Sequence, residues 1–298
     1  MSIRVNPNIS ADLLSDLQIS QLQLNQALQK LASGSNINSP SDDPAGAAIL
    51  VENQAEQNQI DQFQRNITDL TSVLQTGDSA MSSATTAVTQ ALSLGIEAGN
   101  STLNAADLQA IASQLTGIRN QLLGIANTTV SGNFIFAGTS VDTAPFVLNP
   151  ADPSGVTYQG NNGVNSIDLA NGQNAAINLP GDQIFTNPSG SVFGALTQLI
   201  NAVQSGNGIP AANAALSQAF NVLNTQRLFY GTTLSEISST SSFLNGEALQ
   251  LNSQASSIGG ADIAAVVASL AQAQTGQTAL LTAEGKALAL PTLFDFLA

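Results

Sequence analysis

The stretch Ile60–Gly95, IDQFQRNITDLTSVLQTGDSAMSSATTAVTQALSLG, decides the architecture. Alternating steps of three and four land on Ile60, Phe63, Ile67, Leu70, Leu74, Gly77, Met81, Ala84, Val88, Ala91 and Gly95. A seam with that spacing belongs to a long helix whose partners wrap around it as a coiled coil. No proline interrupts it. At about 1.5 Å per residue the segment would span roughly 50 Å. A rod of that length predicts an elongated, multi-helix protein. The seam residues shrink from Ile and Phe to Ala and Gly, so that end is expected to meet other helices closely.

Working outward, Ser10 or Asp12 can cap a first helix with the seam Leu14, Leu17, Gln21, Leu24, Leu28 and Leu31. One strip of Leu on so short a helix is marginal alone and needs a partner. Ser39-Pro40-Ser41-Asp42-Asp43-Pro44-Ala45-Gly46 reads as a loop that restarts helix. Beyond Gly99-Asn100, Asn104 or Asp107 opens a third helix with the seam Leu108, Ile111, Leu115, Ile118, Leu122 and Ile125, expected antiparallel to the second. At Asn127 the pattern changes. Val130 to Gly138 suggests a strand or hairpin, and residues 139–190 hold short apolar runs (156–158, 166–169, 175–179 and 183–185) between Asn, Gly, Pro and Asp. These predict a small β domain inserted between helices.

Helix returns at Val192–Val203. After Pro210 a second long seam runs Leu216, Phe220, Leu223, Arg227, Tyr230, Leu234, Ile237, Ser241, Leu244, Ala248, Leu251, Ala255 and Ile258. Gly259-Gly260 breaks it, and Asp262 can cap a last helix that stops near Pro291. The layout is nearly a palindrome. The predicted fold class is mainly α with a small β insert: an elongated antiparallel bundle of N- and C-terminal arms with the β domain at the tip. Three divisions are expected: 1–44 with 259–298, 45–138 with 191–258, and 139–190. Both terminal helices carry apolar stripes with few elements left to cover them, so another chain is the expected cover.

Composition narrows the function. Of 298 residues, 43% are hydrophobic and only 9% charged; 20 are acidic and six basic, for a net charge of −14. Arg4, Lys30, Arg65, Arg119, Arg227 and Lys286 are scattered, which argues against nucleic acid and against an anionic membrane. With no Cys and no His, thiol nucleophiles, the common zinc sites and Ser-His chemistry are excluded. No catalytic residue, metal site or cofactor is expected. Met1 to Asn8 lacks a Sec-type leader pattern, and Ile263–Ala273 is too short to span a bilayer.

Several residues carry two readings. Asp42-Asp43 could bind calcium, but the alternating ligands of a calcium loop are missing and helix capping is the plainer reading. Arg227, on an apolar seam, could pair with another subunit or with the other long helix. The insert could bind glycans, with Tyr158 as its one stacking Tyr, or be a plain spacer. Gly285-Lys286 lacks the Gly-rich lead-in of a phosphate loop.

The stretch Leu31-Ala-Ser-Gly-Ser-Asn-Ile-Asn-Ser-Pro-Ser-Asp-Asp-Pro-Ala-Gly-Ala-Ala-Ile49, with Arg65-Asn66-Ile67 and Leu74-Gln75-Thr76-Gly77-Asp78-Ser79-Ala80-Met81, resembles the bacterial flagellin family. Ser35 and Asn36 stand where that family often has basic residues. Gly132 to Thr139 with Asp142 to Phe146, Tyr158-Gln159-Gly160 with Ala175 to Phe185, and the ending Leu293-Phe294-Asp295-Phe296-Leu297 are similar to the family's hook-associated junction branch. The resemblance implies a structural, non-enzymatic flagellar role outside the cell, reached by type III export. The implied partners are further copies in a ring, a neighbouring hook-associated protein, flagellin, and an export chaperone on the C-terminal segment, with no membrane insertion. A short filament flagellin, or a secreted adhesin with a glycan-binding insert, is the alternative. Leu14, Leu17, Leu24, Leu28, Leu31, Ile263, Val266, Leu270, Leu280 and Leu288 are the expected subunit contacts.

Overall fold

The computed structural model describes residues 9–100, 102–170 and 172–288. Helices dominate: α1 Ile9–Ser33, α2 Pro44–Ala98, α3 Ala105–Ala126, α4 Gly181–Phe185, α5 Val192–Ser205, α6 Ile209–Gly259 and α7 Ile263–Leu288. Between α3 and α4 lie β1 Thr129–Val130, β2 Asn133–Phe134, β3 Phe146–Leu148, β4 Val156–Tyr158, β5 Ser166–Ala170 and β6 Gln173–Ala176. The expected class, mainly helical with a small β insert, is what is found. Residues 1–8, the end of the last helix near Pro291 and the Leu293–Leu297 ending lie outside the described residues.

The chain divides into two compact units. One holds the described residues up to Gln59 with those from Glu247 onward; the other is Ile60–Gly246.

In the Ile60–Gly246 unit, α2 buries Ile60, Ile67, Leu74, Met81 and Val88, each seven residues from the last. α6 answers with Leu216, Leu223, Tyr230, Ile237 and Leu244 at the same interval. Cross-contacts give the direction. Gln64 Nε2 donates to Asn245 Oδ1 at 2.9 Å, and Arg227 Nε donates to Asp78 Oδ1 at 2.8 Å. Tyr230 covers Gly77, and Asn213 lies over Gly95. Position numbers rise on α2 as they fall on α6, so the helices are antiparallel. Arg227 therefore has its partner on the other long helix of the same chain.

Prolines sit where the missing N–H costs nothing: Pro44 opens α2 and Pro210 is the second residue of α6. A capping box opens α3, where Asn104 Oδ1 accepts from Ala106 N and Asp107 N while Asp107 Oδ2 accepts from Asn104 N. α3 packs on α5, an element its heptad reading did not anticipate. With α2 it shares a groove lined by Leu94 and Ile118.

The β residues form three separate antiparallel hairpins rather than one sheet. Ser131 and Gly132, at φ 51° and 87°, make the tight turn between β1 and β2. Phe136, Phe146, Tyr158, Phe185 and Phe193 pack ring against ring with centroids 5.0–5.9 Å apart, joining the hairpins to α5. One expectation is corrected. Gln183–Phe185, read as a β segment, is helical in α4. Pro180 supplies its N-cap, and both Ile184 and Phe185 are buried. An alternating strand would leave one of those neighbours facing away from the core.

Candidate assembly interface

The terminal helices α1 and α7 belong to one unit and pack on each other. Their junctions with the long helices are clipped together. Asn36 N donates to Gly259 O at 2.6 Å, and Ala261 N donates to Gly34 O at 3.0 Å. Ser35 forms an isolated antiparallel bridge with Gly260, and its hydroxyl lies 3.0 Å from Gly259 O and 2.8 Å from Ile37 O. Gly46 is buried against Ile37 and the Asp43 carboxylate, and Gly259 against Leu50, so a Cβ at either position would press on those side chains. This clasp joins the end of α1 to the start of α7, which makes the two helices antiparallel.

Asp42 and Asp43 serve the clasp. Asp42 Oδ2 accepts from Asn38 N and Ser39 N at 2.9 and 2.8 Å. These two N–H donors hold its carboxyl below the usual carboxylate range. Asp43 Oδ1 accepts from Ala45 N at 3.1 Å, which caps α2. Asp262 caps α7 through Ala264 N and Ala265 N.

Small side chains make the contact between the helices. Ser20, Ala27, Val266 and Ala273 are buried. A groove between the two helices is lined by Ile19, Gln23, Gln26, Gln272, Gly276 and Leu280, with Asp16 and Lys30 along its α1 wall. Lys30 Nζ donates to Asn36 Oδ1 at 2.7 Å. Large apolar side chains are left in solvent: Leu22 is 60% exposed, Leu14 52% and Leu28 43% on α1, while Ile263, Val267 and Leu281 are exposed on α7.

The ten expected contact residues divide into four groups. Leu14, Leu28 and Ile263 are exposed. Leu17, Leu24, Leu31, Leu270 and Leu280 are half-buried. Val266 is buried within this chain. Leu288 is the last residue of α7, and its side chain lies outside the described residues. Sequence reading passed over Ile19, Leu22, Val267 and Leu281 because a single heptad strip assigns one face. A second apolar stripe, offset from the first, was the available signal.

In the insert, Tyr158 is tied into the local structure. The Tyr158 hydroxyl lies 3.1 Å from Phe136 O and 3.0 Å from Asn161 O, and its ring packs on Phe146. Burial, with the nearby Asp182 carboxylate, pushes its pKa up to about 12. Among the described residues no three metal-ligating side chains gather, and no helix is long and apolar enough to cross a membrane.

Residues 5–141 match the bacterial flagellin N-terminal helical region. That match covers the N-terminal arm, a little under half of the chain. Relatives that match along most of their length bear two kinds of name. The chain is 29% identical to flagellar hook-associated protein 3 of Salmonella typhimurium, over 88% of this chain and 89% of that one. It is 26% identical to a flagellin of Listeria innocua, over 88% of each. Among solved structures, the flagellar junction protein FlgL from Legionella pneumophila superposes with a TM-score of 0.61 at 16% identity, over 71% of this chain and all of that one. FlgL of Bacillus cereus gives 0.60 at 23% identity, over 69% of this chain and 99% of that one. At those identities the structures share the fold.

Proposed function

We propose that this chain is a structural subunit of the bacterial flagellum, forming an adaptor ring where hook meets filament. The likeness to hook-associated protein 3 along nearly the whole of both chains carries the reading. The fold shared with two FlgL proteins, one of them described as a flagellar junction protein, supports it. The work is geometric: a ring built from one kind of subunit offers the hook side one surface and the filament side another.

The ring closes through α1 and α7. Burying one exposed Leu, Ile or Val is worth about 1.5–3 kcal/mol, so the apolar positions left open on these helices favour association. Residues 1–44 with 259–298 form the inner wall in this reading, 45–138 with 191–258 the next shell, and 139–190 the outward domain. The chain's partners are then its own copies, a neighbouring hook-associated protein, flagellin, and an export chaperone on the C-terminal segment during type III export. The assembled position is extracellular.

A short filament flagellin is the second reading, favoured by the Listeria innocua relative. A strain lacking the gene separates the two. The junction reading expects finished hooks without filaments and flagellin shed as monomers into the medium. Filaments of ordinary length in that strain would refute it.

A further inference from the structure

Four Asn-Gly pairs occur in the chain, at 162–163, 171–172, 207–208 and 245–246. In such a pair the glycine amide nitrogen, having lost its proton, can attack the asparagine Cγ. The side-chain amide leaves as ammonia, and a five-membered succinimide closes. Water then opens the ring to aspartate or isoaspartate. No other reactant is needed. The step requires an amide nitrogen not held in a hydrogen bond and a backbone able to rotate.

The fold treats the pairs differently. Asn245 and Gly246 lie inside α6, where the helical ladder holds the Gly246 amide. Gly163 N donates to Asn161 Oδ1 at 2.9 Å, so the nucleophile beside Asn162 is occupied. Residue 171 lies outside the described residues. Asn207 and Gly208 form the turn between α5 and α6, and both are exposed. Among the described hydrogen bonds Gly208 N donates to nothing; its carbonyl accepts from Ala212 N. Gly208 has φ +76°, and no atom stands within 4 Å of where a Cβ would be. The Asn207 side chain makes one bond, from Nδ2 to the exposed Ser205 carbonyl at 3.0 Å.

We propose that Asn207 is a site of spontaneous deamidation in the folded protein, and that Asn162 and Asn245 are protected by the fold. The product suits its position. The first turn of α6 holds no acidic residue, and a carboxylate just ahead of a helix N-terminus is favoured by the helix dipole. The turn gains a negative charge with age while α6 keeps its start.

Peptide mass spectrometry of the full chain, incubated folded at mildly alkaline pH, tests this. The peptide holding residue 207 should gain the mass of an amide-to-acid exchange and split into aspartate and isoaspartate forms. The peptides holding 162 and 245 should stay unchanged. In denaturant all three should convert at comparable rates, since the sequence context is shared. Asn207→Gln should abolish the gain at that position, because the longer side chain disfavours ring closure. An unmodified Asn207 in the folded chain, or conversion of Asn162 or Asn245 as fast as Asn207, would overturn the assignment.

Discussion

The ring of Tyr230 lies in the notch that Gly77 leaves on α2, so close that a Cβ on Gly77 would overlap the ring carbons. Leu74 and Met81 are fully buried on either side along α2. Two effects oppose each other in Gly77→Ala. Helix propensity gains about 1 kcal/mol, while overpacking a filled site costs about 1–3 kcal/mol. The ring is buried and cannot swing away, so we expect net destabilisation. Urea unfolding should show a lower midpoint for Gly77→Ala, with partial recovery when Tyr230→Leu is added. Additive losses in the double variant would mean that the two residues do not press on each other.

Asp78 and Arg227 form a part-exposed pair one step along the same seam. Such pairs contribute about 0–1 kcal/mol and are screened by salt. Asp78→Asn should therefore cost under about 1 kcal/mol, with most of the difference gone at high ionic strength. A salt-independent loss of several kcal/mol would show that Asp78 has a second, buried role.

Asn53 is buried on α2, and its Nδ2 has no hydrogen-bond partner. It stands one heptad before Ile60, on the face that is otherwise apolar. An orphaned buried donor costs about 1–3 kcal/mol, so Asn53→Leu should raise stability by an amount of that order. Thermal unfolding reads the change directly. A lower midpoint would mean that the amide is satisfied in solution.

Asp42 and Asp152 give the acid limb its expected form. Donors from Asn38 N and Ser39 N lower the first; the Ser154 hydroxyl and N–H lower the second. Both carboxylates thus bind protons more weakly folded than unfolded. Their stabilisation is complete above the ordinary carboxylate pKa of about 4 and is lost as pH falls through the lower folded values. Stability against pH should decline there, and Asp42→Asn should flatten part of the slope. An unchanged slope would count against the loop geometry.

The open stripe on α1 separates folding from assembly. Leu22→Asp with Leu28→Asp alters exposed positions, so the monomer should lose no more than about 1 kcal/mol. Association of subunits should be abolished. Ala27→Asp is the contrast, since it places a charge in the buried α1–α7 contact and should separate the helices. If the double variant unfolds the monomer by circular dichroism, these leucines belong to the internal core.

Much of this fold was legible in spacing. The seven-residue interval from Ile60 to Val88 and from Leu216 to Leu244 has a single structural meaning, and loop chemistry at Pro44, Asn104 and Asp262 marked helix starts. What escaped were features set by distant contacts. Phe185 joins a helix because the aromatic cluster around Phe146 and Phe193 needs it there. The packing of α3 on α5 depends on residues far apart in the chain. Leu22 and Val267 escaped because the α1–α7 contact uses Ser20, Ala27 and Ala273, small residues that a hydrophobic pattern weighs little. Arg227 left two partners open until geometry brought Asp78 within 2.8 Å.

The most direct test of the junction assignment is immunogold labelling of intact flagella with antibody raised against this chain and depleted on flagellin. Gold confined to a single band between hook and filament is the result this account predicts. Gold along the whole filament would contradict it and make the chain a short flagellin.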